Sequence, residues 1–244
     1  MLTGPRPIAG SVALVTGAAG GIGAWIVTEL LRRGAARVYA AGRRMPAAAH
    51  PRVVPLSLDI TDPAQVAAAA RAAEDVTLLV NNAGVNRNQR LLHAADPMAA
   101  RDEMETNYFG TLAMCRAFAP VLARNGGGAI ANVLSIAARV GMPAMGSLSA
   151  SKAAALRLTE CVRAELAPQG TLVVAFLPSA VDTAMTRGLA IPKGRPEDAA
   201  AALLDGIERG QEDLSFGDGA ARIEQMLAKD PQALARELAA PLAR

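Results

Sequence analysis

The stretch SVALVTGAAGGIG (Ser11–Gly23) decides the fold. Its first six residues form a short, valine-rich apolar run that ends on glycine, the pattern of a strand covered on both faces. From Gly21 to Arg33, Ile22, Ile26 and Leu30 recur at helical spacing, and Gly34 ends the pattern. Gly17 permits a tight turn between the two elements. Gly21 and Gly23 let backbone and helix approach a pyrophosphate closely, at a helix N-terminus where free N–H groups and the dipole attract anions. A glycine cluster alone is a weak signal; one that follows a strand and opens a helix points to a dinucleotide.

Outward from this unit, strands are predicted at residues 36–41, 53–58, 76–80, 128–134 and 171–177, with a seventh at Asp213–Phe216. Helices are predicted between them. Pro63–Ala73 has Asp62 as its N-cap, Met98–Ala123 is one long helix, bent or ended near Pro120, and Ser147–Leu166 is a second long one. Pro196–Arg209 starts on proline with Glu197 and Asp198 in its first turn, and terminal helices follow at residues 220–228 and 231–240. This alternation predicts an α/β fold, a Rossmann-like doubly wound parallel sheet with helices on both faces. No linker-like composition interrupts the chain. Residues 1–244 are therefore expected to form a single domain, with C-terminal helices from about residue 196.

Composition narrows the function classes. Of the 244 residues 52% are hydrophobic and 19% charged, which excludes a disordered chain. No apolar run reaches the roughly 20 residues of a bilayer span, and residues 1–10 lack a signal-peptide pattern, so a cytoplasmic protein is expected. Net charge is +3, scattered along the chain, and aromatics are 3%; neither suggests nucleic-acid binding. Cys115 and Cys161, both in helical runs, are expected to be buried core residues, and His50 and His93 lie in loops without metal-ligand spacing.

About 20 residues past Gly23, an NAD site would place an acid against the ribose 2′-hydroxyl. This chain has Gly42-Arg43-Arg44 there. Arginine binds a 2′-phosphate through charge-assisted bonds, so NADP(H) is favoured over NAD(H).

Thr16–Gly23, Asn81–Gly84 after the fourth strand, Asn107, Ser135 after the fifth strand, and Ser149–Lys152 on the next helix together resemble the short-chain dehydrogenase/reductase family, in order and spacing, over about residues 8–210. The resemblance implies roles residue by residue. Asp59 and Ile60 would touch the adenine, and Asn81, Asn82, Ala83 and Gly84 would hold the central sheet and line the coenzyme ribose. Asn107 would support a water relay, Ser135 would hydrogen-bond the substrate oxygen, and Lys152 would bind the nicotinamide ribose. Pro178, Val181 and Thr183 would fix the carboxamide; Ser179 stands where the family usually has glycine. Dimers or tetramers are implied through the two long helices, whose apolar surface exceeds what one sheet face covers.

One departure is serious. Four residues before the lysine the family places a catalytic tyrosine, on the same helix face; here the residue is Leu148. Losing a positioned acid costs about 10²–10⁴-fold in rate. Three readings stay open: an oxidoreductase for a substrate needing no enzymic acid, such as an iminium ion, with Ser135, Ser149, Lys152 or a water as weaker donor; a disabled carbonyl reductase; and a non-catalytic NADP(H)-binding regulatory protein. Residues 135–145, 179–191 and 85–93 are expected to line the substrate pocket with Ile136, Val140, Met142, Met145, Met185 and Leu189, which suits a small hydrophobic ketone or imine.

Overall fold

The computed structural model describes residues 4–44 and 50–240. Strands β1 (Val12–Thr16), β2 (Arg37–Gly42), β3 (Val53–Ser57), β4 (Leu78–Asn81), β5 (Ala129–Val133), β6 (Leu172–Pro178) and β7 (Asp213–Phe216) form one sheet, ordered β3-β2-β1-β4-β5-β6-β7. Every pairing is parallel. Strand order reverses between β1 and β4, so a crevice opens there at their carboxyl ends.

Side-chain alternation divides the core in two. One face of the sheet presents Ala13, Val15, Val38, Val80, Ala131 and Val174 to α1 (Gly21–Arg32) and α6 (Pro196–Glu208), through Ile26, Leu30, Leu203 and Ile207. The other presents Leu14, Leu79, Ile130 and Val173 to α2 (Pro63–Ala72), α4 (Thr111–Arg124) and α5 (Gly146–Leu166), through Val66, Met114, Phe118 and Leu158. Successive residues on a strand face opposite ways, so a nearly continuous apolar run serves both layers. Asp62 caps α2 by accepting from the Ala64 and Gln65 amides at 2.8 and 3.2 Å, worth about 1 kcal/mol.

Two expectations are corrected. The span read as one helix from Met98 to Ala123 is α3 (Ala99–Met104), a π-helical turn (Glu105–Gly110) and α4. Pro120 neither ends nor divides α4; Pro120 and Arg116 are both exposed, so the carbonyl left without an N–H partner faces water. Cys161 is exposed, on the stripe of α5 it shares with Ala150 and Arg157, whereas Cys115 is buried as expected. After β7, α7 (Asp218–Lys229) and α8 (Pro231–Ala239) cover Ile136 with Ala220, Ile223 and Leu234. No helix among the described residues is long and apolar enough to cross a membrane.

Burial pushes the Cys115 thiol up to about 12. A maleimide at neutral pH is therefore expected to modify one thiol of the native protein, Cys161, and two after denaturation. Rapid labelling of Cys115 in the native state would contradict the packing beneath β4.

Candidate active site

The first strand ends where the fourth ends, and one threonine joins them. Thr16 Oγ accepts from the Asn82 and Ala83 amides, each at 3.0 Å. Asn82 Nδ2 returns a bond to Thr16 O at 2.9 Å and another to Gly17 O at 3.2 Å. The glycines follow from this crowding. A Cβ on Gly23 would lie 2.3 Å from Gly17 O and 2.5 Å from Asn82 Nδ2, so only glycine lets α1 start so close to the turn. Gly17 adopts φ +65°, in the left-handed region. Across the crevice, a Cβ on Gly21 would meet Thr183 at 3.4 Å, which brings the loop after β6 to the mouth of the glycine turn.

Arg43 and Arg44 are exposed at the end of β2. Asp59 Oδ1 accepts from Thr61 N and Oγ at 3.0 and 2.7 Å; these bonds, with a smaller contribution from the Arg43 guanidinium, hold its carboxyl below the usual range. Ile60 is buried beneath Gly110, and Val181 lies in the core. The Asn81 side chain turns into the core, donating to Asn132 Oδ1 at 2.8 Å; Asn132 donates to Thr159 Oγ at 2.9 Å. This buried polar chain ties β4, β5 and α5 together.

Asn107, Lys152 and Gly84 come together. Asn107 Oδ1 accepts from Val85 N at 2.9 Å, and Nδ2 donates to Val85 O at 3.0 Å and Ser151 Oγ at 2.9 Å. A Cβ on Gly84 would lie 3.0 Å from Asn107 Oδ1 and 3.3 Å from Lys152 Nζ. Lys152 Nζ donates to Val133 O at 3.0 Å. Desolvation by burial lowers its pKa to about 8. Ser135 begins the 3₁₀ turn at Ile136–Ala138, its Oγ accepting from Ala137 N at 3.1 Å, so its hydroxyl proton remains free to donate. Leu148 is 7% exposed, one turn before Lys152 on the same face of α5.

The two tyrosines are engaged elsewhere. Tyr39 donates to Asp75 Oδ1 at 2.9 Å, and Tyr108 meets Phe109 edge-on while packing on the core beside α4. Ser149 accepts from Met142 N at 3.0 Å and donates to Met145 O at 3.3 Å, so its hydroxyl proton is already committed to a backbone carbonyl. A cavity of about 570 Å³ runs along Leu91, Ala138–Pro143, Gly146, Ser149, Ala150 and Ala153. Val140 and Met142 are among its lining residues, and Ile136, Met145, Met185 and Leu189 are not. Sequence reasoning gave no separate role to Thr16 and Ser151. Each acts by a hydrogen bond to a residue distant in the chain, which spacing does not reveal.

The profile described as short chain dehydrogenase matches residues 11–193. The chain belongs to that family. A short chain dehydrogenase from Burkholderia cenocepacia J2315, crystallised with NADP, is 54% identical, with a TM-score of 0.92 over 95% of this chain and 98% of that one. A short chain dehydrogenase of Monascus purpureus is 35% identical over 82% of this chain and 72% of its own length. A 3-ketoacyl-(acyl-carrier-protein) reductase from Brucella melitensis, complexed with NADH, is 26% identical with a TM-score of 0.80, covering 88% of this chain and 99% of that one. This short chain dehydrogenase is accordingly an NAD(P)-dependent oxidoreductase.

Lys152 sets a pH dependence. Its ammonium is held at about 8 against an ordinary 10.5, so between these values the unfolded chain binds the extra proton and stability rises with pH. The burial penalty is fully present below pH 8. Lys152→Met is expected to stabilise the coenzyme-free protein near pH 7, by at most about 3 kcal/mol, and to lose that advantage towards pH 10.5. Urea unfolding at both ends of the range measures the gap; a gap independent of pH would contradict a buried amine.

Proposed function

We propose that this chain is an NADP(H)-dependent oxidoreductase acting on a small hydrophobic carbonyl, alcohol or imine, with acid catalysis altered because Leu148 stands at the tyrosine position. The observation that carries this reading is the pairing of buried Leu148 with buried Lys152 on one face of α5, beside Gly84 and Asn107. The coenzyme cradle fits: the turn at Gly17–Gly23 has no room for a Cβ at Gly23 and faces Thr183 across the crevice.

In this reading Gly17, Gly21, Ile22 and Gly23 present helix N–H groups to the pyrophosphate. Arg43, with Arg44, binds the 2′-phosphate, and Asp59 and Ile60 border the adenine. Ala83, Gly84 and Lys152 hold the nicotinamide ribose, and Pro178, Val181 and Thr183 the carboxamide. The bound coenzyme supplies or accepts the hydride. Ser135 Oγ–H donates to the substrate oxygen or nitrogen. The Lys152 ammonium, held near 8, is the strongest acid these residues offer, yet it stands one turn from where a phenol would reach. Leu148 adds apolar wall in place of a proton. A substrate that arrives already protonated, such as an iminium ion, needs no further acid. The complex of the Burkholderia relative with NADP supports the coenzyme assignment. Exposed Phe109, and the half-exposed Leu112, Ala113, Ala117 and Val162 on α4 and α5, support pairing of copies through those helices.

Two measurements test this. NADPH is expected to bind at least tenfold more tightly than NADH by fluorescence titration, and Arg43→Ala to weaken NADPH about tenfold while sparing NADH; an unmoved NADPH affinity would remove the 2′-phosphate site. The unaltered chain is expected to turn over cyclic imines with NADPH, and Leu148→Tyr to raise ketone reduction by about 10²-fold or more. Tight NADPH binding without turnover by either protein would instead favour a regulatory nucleotide-binding role.

A further inference from the structure

Glu103 has no part in the chemistry above, yet it is fully buried. Among the described residues it is the one acid in the buried set, as Lys152 is the one base. Its Oε1 accepts from Arg87 N at 2.5 Å. The Arg87 guanidinium does not compensate it, being paired with Asp102 at the surface. A carboxyl group buried for a single backbone amide must hold that amide in place, because desolvating it is otherwise costly.

The bonded segment explains why. Past Asn81 the chain leaves β4 and runs on to Asn88 without a strand beside it. Its amides need other partners. Asn107 takes Val85 and Glu103 takes Arg87, alternate residues of the segment, while the Asn86 side chain turns away to Met145. Two residues of extended chain advance about 6.6 Å, and four residues of helix rise about 6 Å. Side chains one helical turn apart therefore match amides two residues apart. The segment so gripped begins at Gly84, against Lys152 Nζ.

We propose that Glu103 is a positioning residue for the nicotinamide half of the coenzyme: with Asn107 it clamps Gly84–Arg87 beside Lys152. This rests on the NADP(H) reading. Length and acceptor are both required. Gln retains the Oε1 acceptor at the same reach, Asp is one methylene short, and Leu fills the space without an acceptor. One helical turn before the bonded pair Asn107 and Ser151 stand Glu103 on α3 and Ser147 on α5, two helices in contact; the Ser147 hydroxyl has no protein partner. Ser147→Ala therefore tests the α3–α5 contact without touching the clamp.

The experiment compares the affinities of NADPH and adenosine 2′,5′-bisphosphate, which lacks the nicotinamide half, for the full-length protein and these variants. Glu103→Leu and Glu103→Asp are expected to weaken NADPH at least tenfold and to leave the bisphosphate within about threefold. Glu103→Gln and Ser147→Ala are expected to keep NADPH within about threefold. Should Glu103→Leu fail to fold, Glu103→Asp carries the same comparison. Equal losses for both ligands, no loss for either, failure of Gln to restore binding, or a Ser147→Ala defect matching that of Asp would each overturn the clamp. Absence of NADPH binding by the unaltered chain would overturn the coenzyme reading and the clamp with it.

Discussion

The site depends on the seam between β1 and β4. In a doubly wound sheet these neighbours send their chains to opposite sides, so their carboxyl ends would part unless something held them. Here one hydroxyl and one amide do so: Thr16 Oγ accepts two consecutive backbone N–H groups, and Asn82 returns bonds to two consecutive carbonyls. The glycine requirement at position 23 follows from the closeness this knot enforces. Everything placed in the crevice is positioned relative to that knot, including the Gly84 segment that leaves it and the Thr183 loop that faces it.

Beyond the seam, the two long helical regions are registered by polar contacts inside an apolar layer. Asn107 meets Ser151 across the helices, while Asn81, Asn132 and Thr159 form a chain from β4 to α5. Such contacts contribute modestly to net stability but penalise any slip of register, because each broken bond would leave a buried group unpaired. Lys152 runs against stability outright. Its burial favours the neutral amine, a cost a site tolerates when the group must meet a ligand.

Leu148 lies within this arrangement, one turn before Lys152. Leu148 is buried there beside the polar Ser151 and Lys152, whose contacts to Asn107 and Val133 are made. In the proposed reading, binding and proton transfer would be separable on this scaffold, one resting on backbone geometry and charge and the other on a single side chain.

The sequence by itself determined the seven strands, the order of elements and the glycine turn, because apolar runs ended by glycine and helices begun by proline or aspartate are set by local physics. It also marked Leu148 and Lys152 as a pair, since residues four apart share a helix face. Tertiary structure alone decided the rest. The π turn at Glu105–Gly110 leaves no trace in apolar periodicity; it is where Asn107 turns inward to reach Val85 and Ser151. The exposure of Cys161 depends on which stripe of α5 the sheet covers. Glu103 carries no mark in the sequence that sets it apart, and it is a buried acceptor because a strandless segment lies against it. Local patterns record what a residue prefers, whereas a hydrogen-bond partner dozens of residues away exists only after the chain has folded.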